Sequence, residues 1–328
     1  MSTSKQTVLL LGATGHTGKS ILRGLLKDKS AFNVEVLVRP SSAEKSDVKQ
    51  LKNSLGLKIR IVDIVEAPVE DLVQVLNGID VFISAIDMMS QLSQLRLVTA
   101  AKQAGVKRFV PCAFITVCPP GGVMPMRDTK EQVYQEIWKA HLPYTIIDVG
   151  FWHQLSFPTL PSGKIDYGSI MPKNRLPIRD IHDGGNAPNM LTDVRDIGNY
   201  VALIIKDPRT LNKFVCTYSD VLSENEIFAM LEEMSRENIE RKHVSAADIL
   251  AMRDTASAIL ATDPTNVQAL MMLHQAGYDN NKYVRGDNTP AYAKYLGYLD
   301  ARELYPEFQP ITFREYLVEL LDGRAEKP

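Results

Sequence analysis

Thr7-Val8-Leu9-Leu10-Leu11-Gly12-Ala13-Thr14-Gly15-His16-Thr17-Gly18 decides how the rest of this chain is read. An apolar run of strand length ends at Leu11, and three glycines follow at intervals of three. Glycines let a backbone turn tightly and approach a pyrophosphate closely. A helix starting just after them aims its N-terminal N–H groups and positive dipole end at that anion. The spacing is Gly-x-x-Gly-x-x-Gly, not the commoner Gly-x-Gly-x-x-Gly. Its place between a strand and a helix gives the pattern its meaning.

Outward from this loop, short apolar runs alternate with helical patterns. Strands are expected at 8–11, 34–38, 59–62, 81–85, 108–111 and 144–149, and helices at 19–26, 69–76, 94–104 and 130–140. This alternation predicts an α/β fold, a doubly wound parallel sheet of Rossmann type covered on both faces. Between the fifth strand and its helix lies a long connection, 113–129, with Pro119-Pro120-Gly121-Gly122 and the apolar pair Val123 and Met124. A loop of that length is either a surface excursion or a lid over a site, with Met124 then facing substrate.

After Gly150 the pattern loosens. A helix at 194–205, a strand at 213–217, capping boxes at Ser223–Glu226 and Thr312–Glu315, and helices at 246–260 and 266–276 suggest a smaller, mostly helical substrate domain. The expected division is a dinucleotide-binding domain over 1–155 and a substrate domain over 156–328, with the helix at 193–206 free to pack back on the sheet.

Bulk properties exclude several classes. Of the 328 residues 45% are hydrophobic and 23% charged, and the net charge of −2 offers no field for nucleic acid or an anionic membrane. Cys112, Cys118 and Cys216 are widely spaced, and the six histidines show no metal-ligand spacing, so no metal is expected. No run approaches a membrane span and the first six residues are polar, which points to a cytoplasmic protein.

The residue past the second strand selects the dinucleotide. An NAD site places Asp or Glu there, on the ribose 2′-hydroxyl. This chain has Arg39, then Pro40-Ser41-Ser42 and Lys45. A guanidinium can pair bidentately with a 2′-phosphate and Lys45 can add a second charge, so the cofactor expected is NADPH. The alternative is that both cations merely solvate a surface loop. Ala85 and Ile86, closing the fourth strand, are expected to shape the ribose and nicotinamide site, with core packing as the other reading for Ala85.

Proton-transfer chemistry has one candidate. Tyr134 and Lys139 are one residue too far apart for the Tyr-x-x-x-Lys pair of ordinary short-chain dehydrogenases. Lys130, expected at the start of the same helix, feels an unfavourable dipole and, if buried beside a cofactor, a desolvation penalty. Both favour a lysine that can exchange a proton. The competing reading is a solvated lysine paired with Asp128 or Glu131.

These stretches resemble a known family. Gly12–Gly18 with Val38-Arg39-Pro40, the segment 97–111 and the segment 130–147 are similar to the isoflavone reductase and phenylcoumaran benzylic ether reductase family, within the NmrA-like atypical short-chain dehydrogenases. The resemblance covers most of the chain and thins between about 235 and 300. It implies an NADPH-dependent reductase with Lys130 as its catalytic lysine. It further implies phosphate-loop roles for Gly12, Thr14, Gly15, His16, Thr17 and Gly18, and 2′-phosphate contacts for Arg39 and Lys45. After the fifth strand the plant enzymes have Pro-Ser-Glu-Phe-Gly. Here Pro111-Cys112-Ala113-Phe114-Ile115 keeps only the Pro and the Phe, and Phe114 can still wall the nicotinamide. The surroundings of Pro119–Thr129 and Asp148–Trp152 look more like fungal members associated with secondary metabolism.

Trp152 and His153 follow the sixth strand, where ligands bind in open α/β folds, so stacking on an aromatic substrate and a hydrogen bond to its oxygen are expected, against interdomain packing as the alternative. His182 reads as an exposed loop residue and 270–273 as core. The function expected is hydride transfer from NADPH to an apolar, partly aromatic small molecule (a conjugated carbonyl, quinone methide or imine), in a monomer or homodimer. The alternative is a non-catalytic NADP(H)-sensing regulator that binds a protein partner.

Overall fold

The computed structural model describes residues 5–171, 176 and 178–326. The rest of the polar N-terminal stretch, 1–4, and parts of the loosely patterned region, 172–175 and 177, lie outside the described residues. The chain begins β1 (Gln6–Leu11), α1 (His16–Lys27), β2 (Phe32–Val38), α2 (Ser46–Asn53), β3 (Lys58–Ile61), α3 (Val69–Leu76), β4 (Val81–Ser84), α4 (Gln94–Gln103), β5 (Arg108–Val110), α5 (Pro125–Lys139) and β6 (Thr145–Asp148). β1 to β5 form one parallel sheet in the order β3-β2-β1-β4-β5, with Val8 opposite both Val34 and Val81.

Both faces of this sheet are covered. Leu9, Leu11, Leu37, Phe82 and Phe109 point to one face and join a buried cluster with Leu72 and Leu76 of α3, Leu97 and Val98 of α4, and Val133 and Ile137 of α5. Their neighbours of opposite parity, Val8, Leu10, Val36, Val38, Val81, Ile83 and Val110, are equally buried, as period-two strands in a doubly covered sheet require. Each such side chain contributes roughly 1.5–3 kcal/mol of burial.

The chain continues through β7 (Phe151–Trp152), β8 (Asp180–His182), β9 (Asn189–Thr192), α6 (Val194–Lys206), β10 (Lys213–Cys216), β11 (Asp220–Leu222), α7 (Glu224–Ser235), β12 (Lys242–Val244), α8 (Ala246–Thr262) and α9 (Val267–Asp279), and ends in a helix at Phe313–Leu321. Two compact units result, and the chain crosses between them repeatedly. One holds Met1–Phe114, Thr129–Asp148 and Arg195–Val215. The other holds Ile115–Asp128, Val149–Val194 and Cys216–Pro328. A single cut at 155/156 is therefore replaced by interleaved segments, and the second unit, expected to be the smaller, takes up at least as much chain.

That second unit carries short strands the helical patterns did not reveal: the sheet β11-β9-β7 and the pair β12-β8. Its core gathers Phe157, Leu160, Ile181, Leu191, Phe228, Phe313 and Tyr316. The expected capping boxes at Ser223 and Thr312 both form, and a third forms at Ser245 with Asp248 in the acidic position.

In the first unit α1 and α6 touch backbone to backbone. A Cβ on Gly198 would lie 1.8 Å from the Ser20 carbonyl oxygen, and one on Gly24 would lie 2.1 Å from the Gly198 carbonyl oxygen. Gly198→Ala must push the helices apart and is expected to destabilise by about 1–3 kcal/mol. Urea unfolding checks this, and an unchanged midpoint contradicts it.

Candidate functional site

The sheet order places a reversal of strand direction of travel between β1 and β4, because the chain runs outward to β3 and returns to the other side of β1. Ligands of open α/β sheets bind outside the carboxyl ends of strands at such a point. Residues 12–18 and the pair Ala85 and Ile86 leave β1 and β4 there.

The glycines of the loop have different reasons to be glycine. Gly12 has φ +88°, and a Cβ on it would lie 2.2 Å from the Ala85 carbonyl oxygen. A Cβ on Gly18 would lie 1.9 Å from the Gly12 carbonyl oxygen. Those two hold strand, turn and helix together. Gly15 has no such constraint: its nearest neighbour would be an ordinary 3.6 Å away. Thr14, Gly15 and His16 are exposed, Gly15 caps α1 without a side-chain hydrogen bond, and the first turn of α1 carries no acidic residue. The arrangement leaves a positive helix end facing outward, suited to an anion.

Arg39 follows β2 directly and Lys45 caps α2; both are exposed. The Asp63 carboxyl, past β3, is held below the usual carboxylate range, first by the backbone N–H groups of Val65 and Glu66 and to a smaller extent by the charges of Arg39 and Arg96. Ala85 hydrogen-bonds Leu11 through its N–H at 2.8 Å, and its carbonyl abuts Gly12. Its backbone therefore serves the turn itself.

Lys130 is 2% exposed. Its Nζ donates to the Cys112 carbonyl oxygen at 2.6 Å and to Gln91 Oε1 at 3.0 Å, with Cys112 Sγ at 4.0 Å. These partners are themselves fixed. Gln91 Nε2 donates to the Asp87 carbonyl at 2.9 Å, Gln94 Nε2 donates to the Gln91 carbonyl at 3.1 Å, and Gln94 Oε1 accepts the Cys112 N–H at 2.8 Å. The Cys112 thiol donates to the Ile86 carbonyl at 3.3 Å. The amine thus sits among residues leaving β4 and β5. Its place in the helix differs from expectation. α5 begins at Pro125, so Lys130 lies in the second turn, where the dipole has faded, and burial rather than dipole sets its environment. The Asp128 carboxylate, one of the expected partners, instead binds the N–H groups of Gly121 and Gly122 at 2.7 and 2.9 Å, and Glu131 Oε1 accepts from Gln135. Tyr134 is buried against Phe214 and Lys139 is exposed beside Glu136, so they make no catalytic pair.

The connection after β5 is built into its unit rather than looped out. Residues 111–118 are all buried. Val117 exchanges hydrogen bonds with Asn288 and Asn281, and the Val123 carbonyl accepts from Asn280. Met124 is fully buried and packs on Gly277, which places it in packing rather than at a substrate face. Phe114 is 7% exposed and has φ +50°, a left-handed conformation that costs a bulky residue on the order of 1–2 kcal/mol.

Trp152 is half-buried and lies opposite Thr192 in the β7–β9 pairing. His153 is fully buried: its Nε2 lies 2.9 Å from Ser219 Oγ and its ring contacts Phe313 and Tyr316. Ser219, Phe313 and Tyr316 engage the ring within the core of the second unit, a packing role that corrects the one expected for it. His182 is also misread as a loop residue. It closes β8, its side chain 13% exposed, with Nδ1 2.8 Å from Glu224 Oε1 and its ring stacked on Tyr283. Residues 270–273 are half-buried on α9. Among the described residues no group of three or more His, Cys, Asp or Glu could hold a metal ion, and no helix is long and apolar enough to cross a membrane.

The NmrA-like family model matches residues 4–317. A protein of Aspergillus novofumigatus named asnovolin J 5′,6′-dehydrogenase is 39% identical over 317 residues, covering 96% of this chain and 95% of that protein. Eugenol synthase 1 of Petunia hybrida is 29% identical over 326 residues, covering 95% and 98%. Among solved structures, a complex of leucoanthocyanidin reductase with NADPH from Vitis vinifera has a TM-score of 0.79 at 24% identity, over 96% of this chain and 99% of that one. A structure from work on pinoresinol-lariciresinol and phenylcoumaran benzylic ether reductases has a TM-score of 0.75 at 26% identity, over 96% and 99%.

The lysine cage can be tested without any substrate. Gln91→Leu removes an acceptor from a buried ammonium and is expected to destabilise by about 1–3 kcal/mol in chemical unfolding. A change under roughly 0.5 kcal/mol, the usual size of a surface substitution, speaks against the cage.

Proposed function

This chain belongs to the NmrA-like family, and we propose that within it the protein is an NADPH-dependent reductase of the isoflavone-reductase-like type. It acts on an apolar, partly aromatic small molecule with a conjugated carbonyl, quinone methide or imine, in secondary metabolism. The observation that carries the reading is Lys130, a buried amine held by the Cys112 carbonyl and Gln91 beside the exits of β4 and β5.

The residues fit the cofactor. Gly15 has no neighbour within the chain that demands a glycine, and a pyrophosphate approaching the exposed start of α1 supplies the reason. Arg39 replaces the carboxylate of an NAD site, which suits the 2′-phosphate, with Lys45 adding charge. Thr14, His16, Thr17 and Gly18 complete the loop, with Gly12 fixing its turn. Ala85, Ile86 and Phe114 stand at the carboxyl edge as walls for the ribose and nicotinamide. NADPH, when bound, supplies a hydride to the electron-poor carbon of the substrate. Lys130 supplies the proton: the ammonium gives it up to the substrate's heteroatom or α-carbon, directly or through water, and the amine left behind stays anchored by Cys112 and Gln91. The solved NADPH complex of a relative supports the cofactor, and the reductase and dehydrogenase names among the relatives support the reaction type. Trp152 remains the candidate for stacking on the substrate.

Two measurements test the reading. Lys130→Ala is expected to lower kcat by roughly 10²–10⁴-fold with little change in NADPH affinity. Arg39→Ala is expected to raise the KM for NADPH about tenfold or more while leaving that for NADH unchanged, since a charge-assisted hydrogen bond to the 2′-phosphate is lost. If NADPH binds, no conjugated substrate turns over, and the cofactor instead alters affinity for a protein partner, the regulator takes the reductase's place.

A further inference from the structure

Two buried glutamines join the segment that follows β4 to the exit of β5. Gln91 is 2% exposed and Gln94 1%, and both belong to the same compact unit as Cys112 and Lys130. The two ends of a side-chain amide are alike in shape, but one accepts and the other donates. Which end faces a neighbour is therefore settled by what that neighbour can do.

Backbone groups settle both amides here. The Cys112 N–H can only donate, so the end of Gln94 that meets it at 2.8 Å is the oxygen. The other end is then the NH2, which donates to the Gln91 carbonyl at 3.1 Å and to Gln91 Oε1 at 3.3 Å. The Asp87 carbonyl can only accept, so the end of Gln91 that meets it at 2.9 Å is the NH2, which also lies 3.5 Å from Cys112 Sγ. Gln91 Oε1 points the opposite way, to Lys130 Nζ at 3.0 Å. Turning the Gln91 amide over would set its NH2 against the ammonium and the Gln94 NH2, and its oxygen against the Asp87 carbonyl. In a buried site such mismatches cost the polar groups their partners.

An amide oxygen aims the amine without adding charge. A carboxylate of the same size in the same place would add an attraction that only the ammonium feels. The fold supplies that alternative to another buried lysine. Lys282, 3% exposed on the turn after α9, has Asp279 Oδ1 at 3.6 Å. Beside Lys130, position 91 holds an amide instead.

The segments that meet here carry other titratable or charged groups. Cys112 Sγ lies 4.0 Å from Nζ, Asp87 caps the N–H groups of Met89 and Ser90, and Arg96 of α4 donates to the Val65 and Ala67 carbonyls. α5 itself carries Asp128, Glu131 and Tyr134. All of them stay the same when only position 91 or 94 changes, so a difference between variants reports on the amides.

We propose that Gln91 is the positioning residue for Lys130, an amide locked by Gln94 and Asp87 with its oxygen towards the amine, and that its lack of charge sets how readily Lys130 gives up a proton. The assignment deepens the proposed function and rests on Lys130 as its proton donor. Gln91 acts through the lysine, and Gln94 acts through Gln91.

The test follows the Lys130 amine directly, by NMR titration of the full chain labelled with 13C at the lysine Cε, the Lys130 signal being the one lost in Lys130→Ala. Gln91→Glu is expected to move the titration midpoint of Lys130 up by about one pH unit or more, since an opposite charge is placed beside it. Gln91→Met, which removes the acceptor, should move the midpoint down. A merely structural amide would lower the melting temperature of both variants and leave the midpoint where it was. If the position-91 variants do not fold, Gln94→Met, which frees the Gln91 amide to turn, should move the midpoint down, and an unmoved midpoint there overturns the proposal. Equal midpoints in wild type and Gln91→Glu also overturn it. So does a wild-type amine that stays protonated past about pH 11, beyond the ordinary lysine range. The reductase reading fails separately: it falls if Lys130→Ala leaves NADPH oxidation unaltered, whatever the midpoints do.

Discussion

Gly12 meets the Ala85 carbonyl so closely that no side chain fits between them, and Gly18 meets Gly12 in the same way. Much of the first unit depends on these two approaches. They fix the exit of β1 against the exit of β4 and start α1 immediately afterwards. The carboxyl ends of two strands and one positive helix terminus thereby share a small region of the sheet edge. A larger residue at either point would open the turn and move the helix end. What a ligand would meet is thus set by backbone contacts that never touch the ligand, whereas Gly15, the glycine with room around it, is the one left for a ligand to explain.

The first unit was largely legible because its signals are local. Strands buried on both faces appear as unbroken apolar runs, and helices with a single buried face show their period. The start of α5 was misplaced because Pro125 reads as a loop residue, although proline is well tolerated at the first helical position, where its missing N–H is not needed. The error shifted Lys130 to a helix end and with it the argument from the dipole. Gln91 escaped notice for a related reason. It lies in a 3-10 turn, Met88–Ser93, held by Asp87 accepting from the N–H groups of Met89 and Ser90, and such a turn has no amphipathic period to read.

The second unit was less legible because its determining contacts are long-range. His153 lies next to a sheet edge in sequence, a good place for a ligand, yet Ser219, Phe313 and Tyr316 arrive from distant segments and bury it. Asn280, Asn281 and Asn288 reach back to the connection after β5 and hold it down, so a segment with the composition of a lid behaves as packed structure. Short strands such as β7 and β8 have two or three residues and offer too few positions for alternation to show.

The two buried lysines illustrate how differently a fold can treat the same charge. Lys130 is held by a carbonyl and a side-chain amide, short strong bonds to neutral oxygens that are each fixed by further hydrogen bonds. Lys282 lies between two aromatic faces with a carboxylate at a distance, so its environment attracts the cation but satisfies few of its donors. In the second arrangement burial favours the neutral amine while the Asp279 and Glu224 charges favour the ammonium, so opposing effects meet on one group.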